Sequence, residues 1–121
     1  MTDAAIAIAP PDVEALMRSY TLREPNEVWE FLAKYPFIIP TLLEAPDKIK
    51  HYFPDSKLFL EVVPDPEIID WVSLVLSIHT TLDPDNAVDR QNQLDKDWWL
   101  NNTSHEVRRK LFTLLEYPDE F

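Results

Sequence analysis

The sequence contains no cysteine and no glycine, and its 11 basic residues face 22 acidic ones, a formal net charge of −11 over 121 residues. Without cysteine there is no disulfide, no thiolate zinc site and no thiol nucleophile. Without glycine the GxGxxG and Walker-type loops are excluded, because both need a residue lacking Cβ where backbone approaches phosphate. The shortage of Lys and Arg argues against a protein that tracks nucleic-acid phosphates, which binds by releasing counterions. A charge-selected partner should instead be basic. Long apolar runs are missing too: Asp, Glu, Lys or Pro interrupts every stretch before it nears the roughly 20 residues of a membrane-spanning helix. Ala5-Ile6-Ala7-Ile8-Ala9 is shorter than a signal h-region and runs into Pro10-Pro11, so residues 1–11 are expected to form a loose leader. The expectation is a single cytoplasmic domain over residues 1–121, with neither membrane nor nucleic acid as a partner.

What is present is proline, eleven of them, and they divide the chain at plausible element boundaries. Asp12 to about Thr21 sets Val13, Leu16, Met17 and Tyr20 at helical spacing. Pro25 opens a second helix with Val28, Phe31, Leu32 and Tyr35 as its stripe. Phe37 to Phe53 continues helically, but Pro40 and Pro46 predict a kinked helix or two short ones. The period then changes to two. Leu58, Leu60 and Val62 alternate with Phe59, Glu61 and Val63, and Val72, Leu74, Leu76 and Ile78 alternate with Ser73, Val75, Ser77 and His79. Two strands joined by the loop 64–70 read as a hairpin. Asp83-Pro84 is an N-cap and first-turn proline for a helix reaching about Asn101, and 109–117 is a last strand.

The fold class that follows is α+β, with N-terminal helices and then a ββαβ unit. A crossover helix brings the last strand parallel to the second, and placing it on the free side of the first gives a three-stranded mixed sheet of order 2-1-3.

Tyr35-Pro36-Phe37-Ile38-Ile39-Pro40, Leu58-Phe59-Leu60-Glu61-Val62-Val63-Pro64-Asp65-Pro66-Glu67 and Leu94-Asp95-Lys96-Asp97-Trp98-Trp99-Leu100 together resemble a family of small bacterial proteins frequent in cyanobacteria. The likeness covers most of the chain after residue 25. It implies a bacterial cytosolic setting and carries no catalytic residue with it.

The candidate for acid–base chemistry is Glu61 with His79, which alternation places on one face of paired strands; Glu116 on the last strand is a third group for that face. Acids also crowd the loop at Asp65, Glu67 and Asp70 and the helix start at Asp83, Asp85 and Asp89, but neither group follows an EF-hand or HExxH spacing, and solvated loop and capping roles are their ordinary use. No metal or cofactor is implied. Asp55 to Asp89 holds eight acids against one base, Lys57, the strongest charge bias in the chain. Trp98 and Trp99 are adjacent and about 100° apart on a helix, so one of them, Trp99, is a candidate for a sheet edge or a partner.

Two expectations of function follow. The first is a non-enzymatic interaction module, an adaptor or antitoxin-like neutraliser, that binds a basic protein through Asp65, Glu67, Asp70 and Trp99. The second is a small enzyme or ligand-binding domain working on the open sheet face around Glu61 and His79. Two free sheet edges leave self-association compatible with either.

Overall fold

Proline stands in the first turn of each of the longer helices. Pro10–Ser19 (α1), Pro25–Lys34 (α2) and Pro84–Leu94 (α4) each start on one, and Ile39–Tyr52 (α3) has Pro40 in its first turn. There the fixed φ suits the helix and the missing N–H would have had no partner. The computed structural model describes residues 8–117, in which these helices pack on a four-stranded mixed sheet in an α+β arrangement. None of the helices among those residues is long and apolar enough to cross a membrane.

The strands are Thr21–Leu22 (β1), Lys57–Pro64 (β2), Val72–His79 (β3) and Leu111–Glu116 (β4). β2 and β3 form the antiparallel hairpin, with Leu60 opposite Leu76 and Lys57 opposite His79. The sheet order is β1-β2-β3-β4, which corrects the expected three-stranded order 2-1-3. β4 runs parallel to β3 and pairs with it directly, Leu74 opposite Leu111 and His79 opposite Glu116. α4 leaves β3 and returns the chain beside the strand it came from, which is a shorter path than crossing two strands to reach the far side of β2. That far side is already taken by β1, parallel to β2 and fastened by the Arg23 N–H donating to the Leu60 carbonyl at 2.9 Å. Two residues are too few to show a period of two, so β1 leaves no alternation in the sequence.

One sheet face is dry. Leu60, Leu74, Leu76, Ile78 and Leu111 are fully buried under Leu16, Val28, Leu32, Leu42 and Ile49 from α1 to α3 and Ala87 and Leu94 from α4. The core also takes in Ile8, so the expected leader is corrected at its C-terminal end: Ile8 is 4 % exposed and α1 begins at Pro10. Residues 1–7 of that leader lie outside the described residues.

α3 is one helix that runs through Pro46 rather than two short ones. A proline in a helix interior cannot donate to the carbonyl four residues earlier, here Leu42. The Tyr20 hydroxyl replaces the missing donor, giving its proton to the Leu42 carbonyl at 2.7 Å. Burial pushes the Tyr20 phenol far up, so it stays protonated and able to donate. Tyr20→Phe should therefore cost about 1.5 kcal/mol by leaving a buried carbonyl unpaired, read as a lower urea midpoint with an unchanged m-value.

α4 passes into a π-helical turn, Asp95–Trp99, then into the short helix Leu100–Asn102 (α5), and His105–Arg108 (α6) leads to β4. The i→i+5 turn brings adjacent side chains closer in direction than an α-helix does. Trp98 and Trp99 are both buried there, at 5 % and 8 % exposure, with ring centroids 5.8 Å apart.

Candidate functional site

The face of the sheet away from the helices carries what alternation assigns to it. β2 offers Phe59, Glu61 and Val63, β3 offers Ser73, Val75, Ser77 and His79, and β4 offers Phe112, Leu114 and Glu116. At the His79 end lies a cluster of charged and aromatic side chains. Arg23, just past β1, reaches across the sheet and clasps Glu116 with both guanidinium nitrogens, Nη1 to Oε1 at 3.0 Å and Nη2 to Oε2 at 2.8 Å. Its guanidinium lies over the Phe59 ring, 4.5 Å from the centroid, and its Nη1 is 3.7 Å from Glu61. His79 packs on the same ring at 4.4 Å and is hydrogen-bonded through Nε2 to Glu116. Arg23 beside it, helped by His79 and Ser77 and opposed by partial burial, holds the Glu116 carboxyl down at about 2. The same Nε2 lies 3.2 Å from Arg23 Nη2, so the ring stands between a donor and an acceptor and its tautomer decides which of the two it bonds.

Glu61 and His79 thus share a face and a common neighbour without forming a pair. Glu61 is opposite Val75, four residues along β2 from the position facing His79, or about 13 Å of strand. Arg23 stands between them and is the residue that carries the arrangement. A cavity of about 200 Å³ adjoins His79, lined by Asp55, Lys57, Thr80 and Thr81 at the end of β2 away from Glu61. The cluster joins the chain after β1 to the last strand. It has His79 oriented by a carboxylate, but both oxygens of that carboxylate are engaged by Arg23.

The hairpin loop is ordered by its acids. The Asp65 carboxylate accepts from the Glu67 and Ile68 N–H groups at 2.8 and 2.9 Å, the Asp65 N–H donates to the Trp71 carbonyl, and the Trp71 N–H closes on the Ile68 carbonyl. Asp70 takes a left-handed conformation, φ 62°, a position that glycine would fill in a chain that had any. The tip so formed presents Ile68 at 54 % and Ile69 at 90 % exposure between Glu67 and Asp70. Of the residues assigned to partner binding, Glu67 and Asp70 stand at the tip, Asp65 is engaged in shaping it, and Trp99 lies in the core. The two isoleucines were legible as an apolar pair inside an acidic loop.

Two further places gather chemistry. Lys110, 6 % exposed, donates Nζ to the Val72 carbonyl at 2.9 Å and lies over the rings of Trp71 at 3.6 Å and Tyr35 at 4.4 Å. Lys110 also lowers the Tyr35 phenol from its ordinary value. A cavity of about 450 Å³ between α3 and the π-turn is lined by Glu44, Asp47, Lys48, His51, Tyr52, Asp97, Trp98 and Asn102. Four of its polar groups are bonded in pairs: the Trp98 indole N–H donates to Glu44 at 2.8 Å and the Tyr52 hydroxyl to Asp97, which raises the Tyr52 phenol. Among the described residues no three His, Asp or Glu side chains converge in a way that could hold a metal ion. Asp83 caps α4 through the Asn86 N–H, so the acids at that helix start have a local use. No family model, curated protein or solved structure matches the chain, and the site is read from its own geometry.

Proposed function

We propose that this chain is a non-enzymatic interaction module that docks a basic protein surface through the tip of its β2–β3 hairpin. The carrying observation is Ile69, 90 % exposed next to Ile68 on a loop whose backbone is held by Asp65 and ringed by Glu67 and Asp70. A large apolar side chain held out in water on a pre-shaped loop gains when it enters a recess, and the loop loses little conformational entropy on binding. The carboxylates beside it steer a cationic rim toward it and make the encounter salt-dependent. The partner chemistry is therefore an apolar recess bordered by Lys and Arg. The engaged state of Glu116 and the spacing of Glu61 from His79 favour this reading over acid–base catalysis on the open face.

Ile69→Asp should weaken such a complex at least about tenfold, as loss of a central apolar anchor does. Glu67→Gln with Asp70→Asn should weaken it mainly at low salt, Asn being a residue that tolerates the left-handed conformation. Tagged protein and the Ile69→Asp variant are passed through extracts of the source cells at low and moderate salt. One stoichiometric basic protein, held by the wild type, lost from the variant and released by salt, supports the reading; a protein retained equally by both overturns it.

A further inference from the structure

Among the described residues β4 is an edge of the sheet with no strand on its outer side. The ladder bonds fix which of its backbone groups are used: Leu74 N–H donates to the Lys110 carbonyl at 2.8 Å and Thr80 N–H to the Glu116 carbonyl at 3.1 Å, with Leu74 opposite Leu111. In a parallel ladder the even-numbered residues therefore face β3, and the N–H and C=O groups of Leu111, Thr113 and Leu115 point away from the sheet. Edge strands are normally blunted by lysine, proline or a bulge, and Leu111-Phe112-Thr113-Leu114-Leu115-Glu116 has none of these. Its outer-face side chains, Phe112 and Leu114, are 46 % and 49 % exposed.

We propose that β4 pairs with β4 of a second copy, antiparallel and centred on Thr113, joining two four-stranded sheets into one. The strand is complementary to itself about that centre. Leu111 falls opposite the second copy's Leu115, so every outward N–H and C=O of Leu111, Thr113 and Leu115 finds a partner. Phe112 falls opposite the second copy's Leu114 in the pairs where side chains approach most closely, covering both exposed apolar groups. The contact is independent of the hairpin tip and goes beyond the proposed function. Salt moves the two contacts in opposite directions, since a net −11 on each copy opposes dimerisation and is screened, while attraction of a basic partner is weakened.

The test is sedimentation equilibrium over a concentration series, with thermal unfolding as the check on folding. The wild type should approach twice the 14.2 kDa of one chain, more readily as salt is raised. Thr113→Pro removes an outward N–H and no bond to β3, and should raise the dissociation constant at least about tenfold. Phe112→Lys and Leu114→Glu should each weaken the dimer, and the double variant F112K/L114E should restore it, because the register sets the introduced lysine of each copy against the introduced glutamate of the other. A wild type that stays monomeric throughout, or a double variant no better than its singles, overturns the proposal. So does a monomer that dimerises only once residues 1–7 are removed, which would assign the edge to that segment.

Discussion

Lys110→Ala is expected to destabilise the protein by roughly 3 kcal/mol, the larger effect to be sought among single polar substitutions. The contributions come from the contacts of one side chain. Its ammonium donates to the Val72 carbonyl at 2.9 Å, and bonds to a charged donor are worth about 1.5–3 kcal/mol when removed. The same nitrogen lies 3.6 Å from the Trp71 centroid and 4.4 Å from that of Tyr35, and a largely desolvated cation over aromatic faces adds about 1–2 kcal/mol. Desolvating the ammonium opposes both, so the net is below their sum. The four-carbon stem fills space between the start of β4 and Phe31 of α2, which Ala would leave vacant. Lys110→Met keeps most of the stem and loses the charge, and should recover about 1 kcal/mol of the loss. Urea unfolding followed by tryptophan emission reads both, since Trp71 reports the cage directly. Equal losses for Ala and Met would show that the stem contributes nothing; no loss for either would show that the cation is tolerated in its cage rather than used by it.

Local pattern carries some of this architecture and not the rest, for physical reasons that differ from place to place. The β2–β3 hairpin is legible because a sheet with one dry face imposes a period of two over eight residues. The start of α4 is legible because Asp83-Pro84 is a cap and a first turn in adjacent positions. β1 is not, since two residues have no period, and without it β4 is misplaced as well. Once the edge of β2 is free, nothing in the pattern prevents the last strand from being put there. Pro46 reads as a break from sequence because the donor that repairs the helix, Tyr20, lies on another element. Trp98 and Trp99, about 100° apart on a regular helix, read as one core residue and one spare, yet an element covered on more than one side buries neighbours together, as α2 does with Val28 and Trp29. Arg23 shows the same limit at the candidate site: nothing near it in sequence signals that its side chain will cross β2 and β3 to a residue 93 positions away.

That reach sets the second large effect. Arg23→Ala should cost about 2 kcal/mol at neutral pH, because it removes a bidentate charge-assisted pair and the packing on Phe59, with a discount for the part of the cluster that water reaches. The cost should also depend on pH in a definite direction. Arg23 holds the folded-state carboxyl of Glu116 at about 2 against an ordinary 4.5, so the unfolded chain takes up the proton first as pH falls. The stabilisation from Glu116 is therefore complete above about 4.5 and is lost progressively toward about 2. Unfolding free energies measured above and inside that window should fall more steeply for the wild type than for Arg23→Ala, whose Glu116 retains only His79 and Ser77. Glu116→Gln removes the titrating group and should flatten the same window while keeping a neutral acceptor for Arg23. If Arg23→Ala and the wild type lose stability in parallel across the window, the guanidinium is not what depresses Glu116, and the ties of the open face lie with His79 instead.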